Sequence, residues 1–410
     1  MRQGNCAGHS PFRIGAEGNM MLLEVSTPWL QAVPAFLIAG IVTLAAVPLS
    51  MMLARHVGAV AQPDARKLHA RPTPQLGGVA MAAGFLVALA VYHGSITMVG
   101  IIAAALVLIV VVMTLDDIYE LHWWMKLVPE ILVGIMLAAG GVAITFVALP
   151  GGAHGAHIVE LGVLAVPVTV VWVVGMQNSI NLLDGSDGVA AGVVAIVAIV
   201  SLLAAVTRSD VAQTTESGVI IMSGALCGVC IAFLVFNLPP AQVFMGDSGS
   251  HFLGTAIAII TILAVAKLAV ALSLLVPLIA LGLPIGDTAA AIIRRKWNGK
   301  GIMEADAGHL HHRLRALGLT PMETAVTFYV ITAVLGCISL FIIGHQRVLA
   351  VIVALFIIVL VGIGARLYAR NRTESTATSA GELTIEVEGR REFGGRGDHE
   401  PHVHRHGGDE

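Results

Sequence analysis

The sequence predicts an all-α polytopic membrane protein, and two observations support this prediction. Hydrophobic residues make up 57% of the 410 residues and charged residues only 12%, with a mean hydropathy of +0.87. A soluble domain carries roughly 25% charged residues. The apolar residues also occur in runs of the ~20 residues that a membrane-spanning helix needs. The net charge of −3, with few and scattered basic side chains, excludes a nucleic-acid-binding protein.

Eleven apolar runs qualify as transmembrane helices. Their approximate bounds are 29–53, 77–93, 96–115, 127–149, 163–180, 188–206, 217–236, 250–268, 270–293, 323–343 and 347–368. Together they form a transmembrane domain, 29–368, preceded by an N-terminal extracytoplasmic segment, 1–28. The remaining residues, 369–410, are mostly polar with many Glu, Arg, Gly and His, which predicts a disordered cytoplasmic tail.

The distribution of Lys and Arg predicts the orientation of these helices. One set of alternate loops holds most of them, whereas the opposite set holds little beyond Arg208, Lys267 and Arg347. Because loops rich in Lys and Arg face the cytoplasm, the N-terminus is predicted outside and the C-terminus inside a cell membrane. The polar motifs of the chain all fall in the predicted cytoplasmic loops.

Asp116 and Asp117 stand side by side where the apolar run Ile101 to Leu115 ends. Ionised carboxylates at the edge of a membrane span are costly, and the C-terminal end of a helix dipole disfavours them further. We therefore expect a metal ion or basic side chains beside them. Adjacent carboxylates bind Mg²⁺ or orient a nucleophile. A solvated loop with Lys126 reaching to the interface is the alternative.

Two other predicted inner loops combine histidine with basic residues. The first contains Arg66, Lys67, His69 and Arg71 and leads into Gly77-Gly78, where backbones can approach closely. The second contains Asp306 and four candidate anion ligands, His309, His311, His312 and Arg313. Both loops suit a phosphate group, and both also suit lipid headgroups in a positive-inside loop. Zinc is disfavoured in the second, because it has no cysteine and two of its histidines are adjacent.

A third motif places amides and carboxylates among glycines. Asn178 and Asn181 are spaced to share one helix face, and Asp184 and Asp187 follow across Gly residues. Such a glycine-rich turn is tolerated at membrane depth only beside a cavity or other protein. The residue types suit metal coordination and hydrogen bonds to a sugar or base. A calcium loop is excluded, because the Asp-x-Asx-x-Asx-Gly spacing is absent.

A fourth motif runs from Asn237 through Phe244 to Asp247 and Ser248. An Asp-Ser pair before a helix is an ordinary N-cap, but a helix N-terminus also binds phosphate. Phe244 would stack on a nucleobase or pack locally. Asp287, after Pro284 and Gly286 in a broken apolar run, is interpreted as the cap of a restarted helix.

Cys227 and Cys230 form a Cys-x-x-Cys inside an apolar run. The chain contains four cysteines, which are too few and too dispersed for a disulfide framework. Small residues inside a membrane helix usually pack against neighbours. Packing is therefore favoured here over metal binding or redox chemistry.

Taken together, the motifs resemble the polyprenyl-phosphate N-acetylhexosamine-1-phosphate transferase family. The resemblance covers about residues 60 to 315 in five blocks. The blocks are Arg66-Lys67-x-His69 to Gly77-Gly78, Asp116-Asp117, Asn178-x-x-Asn181-x-x-Asp184-Gly, Phe244-Met-Gly-Asp247-Ser-Gly-Ser and His309-x-His311-His312. The count of eleven spans resembles the branch that transfers GlcNAc-1-phosphate.

The resemblance implies a reaction and its partners. A polyprenyl phosphate attacks UDP-GlcNAc at the cytoplasmic face, giving a lipid-linked diphosphate sugar and UMP and starting a cell-envelope glycan. The cofactor implied is Mg²⁺, with Mn²⁺ as a substitute, and family members are often homodimers. The alternative branch moves phospho-N-acetylmuramoyl-pentapeptide in peptidoglycan synthesis. Leu310 interrupts the three consecutive histidines typical of that branch.

The resemblance also implies roles for individual residues. Asp116 and Asp117 are the catalytic pair, either as a base or as groups that position metal and nucleophile. Asp247 and Asn181 are the implied metal ligands. The implied substrate-binding residues are Lys67, Lys126, Asp184, Asp187, Asn237, Phe244, His309, His311, His312 and Arg313.

An ion-coupled transporter is the rival from another class of protein. Transporters also use intramembrane carboxylates and broken helices. They place these groups near the bilayer midplane, often in repeat-related halves. The carboxylates of this chain gather at one predicted membrane face, and the sequence shows no internal repeat.

Overall fold

The structure, a computed structural model, describes residues 29–62, 72–96, 98–149, 157–206, 213–265 and 317–342, with isolated positions between 282 and 314. These residues form a mostly helical bundle. Its helices are α1 Trp29–Val57, α2 Gly77–Val91, α3 Val99–Tyr119, α4 Trp123–Ala139, α5 Ala165–Leu183, α6 Val189–Val206, α7 Gln213–Asn237, α8 Gly246–Val265 and α9 Pro321–Ile342. The predicted terminal segments 1–28 and 369–410 lie outside the described residues.

Seven of the described helices are long and apolar enough to cross a membrane. They are α1, α3 and α5 to α9, and each matches a predicted span. Helix α2 is apolar but has 15 residues, about 22 Å at the usual rise. The predicted spans 270–293 and 347–368 lie outside the continuously described chain. The protein is therefore a multi-pass α-helical membrane protein.

The predicted span 127–149 is wrong in its second half. Helix α4 ends at Ala139, and Gly141 turns the chain with a positive φ of 90°. The following residues form strand β3, Phe146–Leu149, which pairs antiparallel with strand β4, His157–Glu160. The β-branched and aromatic residues after the two glycines favour a strand over a helix.

A second short ladder, which the sequence also did not predict, precedes α2. Strand β1, Val60–Ala61, pairs antiparallel with strand β2, Thr73–Pro74. This ladder brings the chain back toward the end of α1. It delivers Gln75, Gly77 and Gly78 to the same end of the bundle as the candidate site.

Helices α7 and α8 lie at the centre of the bundle. Helix α7 packs against α1, α2 and α6, and α8 packs against α2, α3 and α5. Helix α8 is the most enclosed of the candidate spans, and α1 exposes large apolar side chains such as Leu37, Ile41 and Leu49. This arrangement suits α1 to a lipid environment and places the polar first turn of α8 among other helices.

Candidate active site

The paired carboxylates lie in the last turn of α3. Asp116 and Asp117 are 5% and 8% exposed, and the chain leaves the helix at Glu120, whose φ is positive. The backbone N–H of Leu121 donates to Asp116 Oδ1 at 2.8 Å. The helix therefore ends around its own acidic side chains, at the end where the dipole disfavours them.

Lys126 supplies the cation that the sequence predicts beside this pair. Its Nζ lies 2.6 Å from Asp116 Oδ2 and 2.8 Å from Asp247 Oδ2, bridging α3 and α8. Partial burial alone lowers the pKa of Lys126, but the carboxylates of Asp247 and Asp116 outweigh it and raise that pKa above its ordinary value. The ammonium group therefore stays charged between two acids.

Asp117 meets a different positive group, the N-terminus of α8. Its Oδ1 accepts from the backbone N–H of Asp247 at 2.7 Å, and its Oδ2 accepts from the N–H of Ser248 at 3.1 Å. The free N–H groups and the dipole at a helix N-terminus favour an anion there. The C-terminal end of α3 is thus compensated by the N-terminal end of α8.

Gly246 allows this contact between the two helix ends. Its φ is +70°, a left-handed conformation that L residues rarely adopt. A Cβ at this position would lie 2.6 Å from both oxygens of Asp117 and even closer to the carbonyl of Gln75. Gln75 also donates from Nε2 to the Asp117 carbonyl at 2.8 Å. Glycine at 246 is therefore required by both conformation and space.

Helix α5 contributes an amide to the same cluster. Asn181 Nδ2 donates to Asp247 Oδ1 at 2.9 Å and to Ser250 Oγ at 3.0 Å. Asn178 lies one turn earlier and also faces a neighbouring helix, where its Nδ2 donates to Glu130. The two amides therefore contact different helices, Asn178 reaching α4 and Asn181 reaching α8, and a single shared face stays a prediction.

Asp184 and Asp187 lie in the turn between α5 and α6. Asp184 keeps part of its surface accessible, yet burial of the carboxyl raises its pKa well above the ordinary range, and the carboxylates of Asp247, Asp117 and Asp187 raise it further. Asp187 Oδ2 accepts from the N–H of Ala241 at 3.0 Å. Asp184 therefore extends the acidic cluster, whereas Asp187 ties two loops together.

Asn237 holds the turn between α5 and α6 through hydrogen bonds to backbone groups. It is 2% exposed, its Oδ1 accepts from the N–H of Gly188 at 3.0 Å, and its Nδ2 donates to Val243 O at 2.8 Å. Tyr329 of α9 donates its hydroxyl to the carbonyl of Gly188 at 2.6 Å. The amide of Asn237 is thus engaged with backbone groups behind the acidic cluster.

The glycine pair at the start of α2 holds the segment that precedes α8. The N–H groups of Gly77 and Gly78 donate to Phe244 O at 3.0 Å and Met245 O at 2.9 Å, and the N–H of Phe244 donates to Pro74 O. Any Cβ at Gly78 would overlap the backbone of Gly249. The predicted close backbone approach at this glycine pair is confirmed.

The structure brings six predicted residues to one end of the bundle. They are Asp116, Asp117, Lys126, Asn181, Asp184 and Asp247. The predicted residues Asp187 and Phe244 lie in the adjoining loops, and Asn237 is the last residue of α7. The remaining predicted residues, as well as Asp287, lie outside the described residues: Lys67, His309, His311, His312 and Arg313.

Three buried polar residues beside this site were not predicted as functional. Glu130, Ser250 and His251 are at most 3% exposed and hydrogen-bonded within the same network. A Glu and a His inside apolar runs are themselves a signal, because ionisable residues are costly in a membrane. Gln75, which contacts Asp117, carries no comparable sequence signal, whereas Ser248 belongs to the fourth motif of the sequence.

The donor set of the cluster is suited to a divalent cation. One carboxylate oxygen from each of Asp116, Asp117 and Asp247 lies within 4.8 Å of the other two. Hard oxygen ligands of this kind are those that Mg²⁺ and Mn²⁺ prefer. Each carboxylate accepts protein hydrogen bonds yet has further lone pairs, since an ionised carboxylate offers about four acceptor sites.

Comparison with known proteins gives a family match over this region. A family model described as Glycosyl transferase family 4 matches residues 98–265, the segment that contains α3 to α8. The chain is 34% identical over 309 residues to a Bacillus subtilis protein, a probable undecaprenyl-phosphate N-acetylglucosaminyl 1-phosphate transferase. That match covers 74% of this chain and 82% of the relative.

Two further relatives differ in how much of the chain they match. A decaprenyl-phosphate N-acetylglucosaminephosphotransferase of Mycobacterium tuberculosis is 28% identical over 340 residues, covering 77% of this chain and 84% of the relative. A phospho-N-acetylmuramoyl-pentapeptide-transferase of Chloroherpeton thalassium is 36% identical over 129 residues, covering 30% and 33%. The mycobacterial relative is therefore similar over most of its length, whereas the Chloroherpeton relative is similar over a third of its length.

Proposed function

The chain belongs to glycosyl transferase family 4, and we propose that it transfers N-acetylglucosamine 1-phosphate from UDP-GlcNAc to a membrane polyprenyl phosphate. The products are UMP and a lipid-linked diphosphate sugar that starts a cell-envelope glycan. One observation carries the proposal: Asp116, Asp117 and Asp247 converge around Lys126 and Asn181 at one end of the bundle. Relatives named for this reaction match the chain over most of its length.

The proposed reaction exchanges one phosphorus–oxygen bond for another. An oxygen of the lipid phosphate attacks the sugar-bound phosphorus, the bond from that phosphorus to the UMP oxygen breaks, and UMP leaves with the electron pair. A phosphate monoester has a second pKa near ~6, so the attacking group is largely dianionic at pH 7. Catalysis therefore depends on orientation and charge stabilisation more than on a general base.

Asp116 and Asp117 are proposed to act as positioning groups. Both oxygens of Asp117 already accept N–H groups from the first turn of α8, which fixes the direction of Asp247. Asp116 holds Lys126 at 2.6 Å. This arrangement supports the interpretation that the pair orients metal and nucleophile, and it leaves proton abstraction as the weaker hypothesis.

Asp247 and Asn181 are the proposed ligands of Mg²⁺, with Mn²⁺ as a substitute. Asn181 would bind through its amide oxygen after the amide turns, because its nitrogen now donates to Asp247. When bound, the ion supplies positive charge that stabilises the diphosphate in the transition state. Lys126 lies between Asp116 and Asp247. From that position its ammonium group would add positive charge beside the diphosphate.

The remaining predicted residues are proposed to surround the substrates. Asp184, Asp187 and Phe244 border the cluster and would lie near the nucleotide, with Asn237 supporting their loops from behind. The predicted substrate contacts from the other inner loops are Lys67, His309, His311, His312 and Arg313. We further propose that the chain has eleven spans with its N-terminus outside the cell. The site is proposed to lie on the cytoplasmic face of the cell membrane, and the protein is proposed to form a homodimer.

The experiment is a measurement of UMP release by purified protein given UDP-GlcNAc, undecaprenyl phosphate and Mg²⁺. We expect UMP in amounts equal to the lipid product, no release without the lipid, and loss of release on chelation of the metal. Asp247→Asn is the matched inactive control. Release only with UDP-N-acetylmuramoyl-pentapeptide would move the chain to the peptidoglycan branch, and no release with any UDP-N-acetylhexosamine would favour a transporter.

A further inference from the structure

Three polar side chains, two of them buried and one partly buried, lie directly behind Asp247 and outside the carboxylate cluster. Glu130 comes from α4, Asn178 from α5 and His251 from α8. Glu130 and His251 are 3% and 2% exposed. Ionisable groups this deep in an apolar bundle are costly, so their retention calls for a role that apolar side chains would not fill.

Their contacts form a chain that ends on the backbone of Asp247. His251 Nδ1 donates to Asp247 O at 2.9 Å, and His251 Nε2 faces Glu130 Oε1 at 3.1 Å. Asn178 Nδ2 donates to Glu130 Oε2 at 2.6 Å. Three helices are thereby linked to the carbonyl group of the proposed metal ligand.

His251 and Glu130 form a pair, and the two ring nitrogens of His251 determine how many protons this pair carries. A carbonyl only accepts, so Nδ1 carries a hydrogen; Nε2 then faces a carboxyl oxygen. A neutral imidazole has one N–H, so the pair is either imidazolium with carboxylate or imidazole with a protonated Glu130. Both states have zero net charge and satisfy every facing atom. The burial of the pair is therefore tolerable only while both members are present.

Both backbone polar groups of Asp247, its N–H and its carbonyl, are consequently held by hydrogen bonds to side chains. Its N–H donates to Asp117 at 2.7 Å, and its carbonyl accepts from His251 and, at 3.3 Å, from Ser250 Oγ. With both groups fixed, the first turn of α8 has little freedom to rotate. The direction of the Asp247 carboxylate is set by these contacts.

Helix adhesion alone does not explain the pair. Two other contacts, one buried and one partly buried, already join α5 to α8 further along. Gln177 Nε2 donates to Thr255 Oγ1 at 2.8 Å, and Trp172 Nε1 donates to Thr261 Oγ1 at 3.0 Å. Neither contact touches Asp247. The His251 contact differs from them by reaching the residue that is proposed to bind the metal.

We propose that the Glu130–His251 pair, braced by Asn178, is a positioning device for Asp247 that sets the affinity of the site for a divalent cation. The proposal rests on the proposed function for the metal-ligand role of Asp247 and for its kinetic consequence. Contacts behind a ligand typically change metal affinity by about 10- to 100-fold when they are lost. His251 and Glu130 touch neither substrate nor metal in this scheme.

Two substitutions of His251 separate positioning from packing. In His251→Asn, the short amide reaches the site of Nδ1 and donates to Asp247 O, but it leaves Glu130 with Asn178 alone. In His251→Gln, the longer amide reaches the site of Nε2 and pairs with Glu130, but it leaves the Asp247 carbonyl without this donor. Thr261→Val is the control, because it removes the partly buried hydrogen bond from Trp172 of α5 to α8, away from Asp247.

The measurements are the melting temperature of each purified variant, its affinity for Mn²⁺ without substrates, and kcat for UMP release. We expect His251→Gln to keep the higher melting temperature of the two and yet bind Mn²⁺ about tenfold more weakly, with a similar fall in kcat. We expect His251→Asn to melt lower and to keep Mn²⁺ affinity within about threefold. Thr261→Val should lower only the melting temperature.

The Mn²⁺ affinities of the two His251 variants, compared with their melting temperatures, decide between positioning and packing. If Mn²⁺ affinity falls in step with melting temperature across all three variants, the pair is merely structural and the proposal is overturned. Unchanged Mn²⁺ affinity in His251→Gln, or no Mn²⁺ binding by the wild-type protein, overturns it as well. If the wild-type protein binds Mn²⁺ but releases no UMP, the proposed function fails while the Mn²⁺ ordering still tests the positioning of Asp247.

Discussion

Two junctions between helices hold this bundle together by opposite means. At the first, α7 lies against α1, where Gly224 and Gly228 approach the backbones of Ala32 and Phe36 so closely that any Cβ would overlap them. Two glycines four residues apart are a common device for close packing of membrane helices. The four residues at this contact are uncharged, and among the described residues no ion pair joins α1 to α7.

The second junction, between α3 and α8, makes its contacts through charge. Asp117 accepts two N–H groups from the start of α8, and Lys126 bridges Asp116 to Asp247. Burying these groups is costly, and apolar side chains of similar volume often hold helices together as well or better. The comparison indicates that the α1–α7 junction serves stability and that the α3–α8 junction is retained for chemistry.

The largest effect is expected from Asp117→Asn at the charged junction. An amide nitrogen in place of one carboxylate oxygen would face an N–H of α8 and push the Asp247 turn away. We expect turnover to fall by about 100- to 1000-fold, the range seen when a group that stabilises a transition state is removed. Nucleotide binding should remain largely intact, because Asp117 is directed at the backbone of α8.

Single-turnover kinetics and equilibrium binding of the UDP-sugar are the measurements for this variant. The melting temperature serves as the control, since a folded but inactive protein is the expected result. Unchanged turnover in Asp117→Asn would contradict the proposed role of the pair. Equal loss of turnover and melting temperature would show instead that the charged junction is as structural as the apolar one.

The next largest effect is expected from Gly228→Leu at the apolar junction. Its side chain would overlap the carbonyl of Phe36, and overpacking of a tight contact typically costs about 1–3 kcal/mol or more. Gly175→Leu is the matched control, because a Cβ at that helical position meets nothing within 4 Å. We expect Gly228→Leu to lower the melting temperature sharply while kcat per folded molecule stays near the wild-type value.

A fall in kcat per folded molecule for Gly228→Leu, with an unchanged melting temperature, would reverse the roles assigned to the two junctions. Thermal unfolding in detergent, followed by an activity assay on the folded fraction, separates the two results. The control variant should match the wild-type protein in both measurements.

The helices of both junctions are predictable from sequence because hydropathy and length decide what can span a membrane. The prediction fails where hydropathy is a poor guide to conformation. Residues 146–149 are apolar enough to continue a membrane helix, but Gly140 and Gly141 precede them and they pair as a strand. Similarly, α8 begins at Gly246 rather than near 250, since Asp117 supplies acceptors for its first N–H groups.

The candidate site was predictable in its residue types but not in its pairings. Polar motifs in an apolar chain identified Asp116, Lys126 and Asp247, because each is too costly there without a reason. The partners of Asp117 are backbone N–H groups, which leave no trace in a sequence. The pairing of Glu130 with His251, 121 residues apart, depends on how α4 and α8 cross.

A smaller effect, which depends on pH, is expected from Asp184→Asn. Burial and neighbouring carboxylates raise the pKa of Asp184, so its neutral form is favoured in the folded protein. The stability that this gives is complete below the unfolded pKa of ~3.9 and is lost as pH rises through the raised pKa. Without divalent cations, the asparagine variant should therefore melt higher than the wild-type protein at pH 7, with no difference near pH 4.

Melting curves of both proteins in chelator at several pH values test this expectation. An asparagine variant that melts at or below the wild-type temperature at pH 7 would contradict it. Turnover of the variant should fall, since Asp184 is proposed to lie near the nucleotide. A more stable but less active protein is the pattern that a site retained for chemistry predicts.

The smallest effect is expected at Cys227 and Cys230, which lie on α7 beside the glycines of the apolar junction. Both are buried, and a thiol must be accessible to act as a nucleophile or to exchange disulfides. Replacing both with alanine should cost about 1 kcal/mol of stability each and leave UMP release within about twofold of wild type. Loss of turnover at an unchanged melting temperature would instead mean that chemistry extends into the apolar junction, and the division between the two junctions would have to be given up.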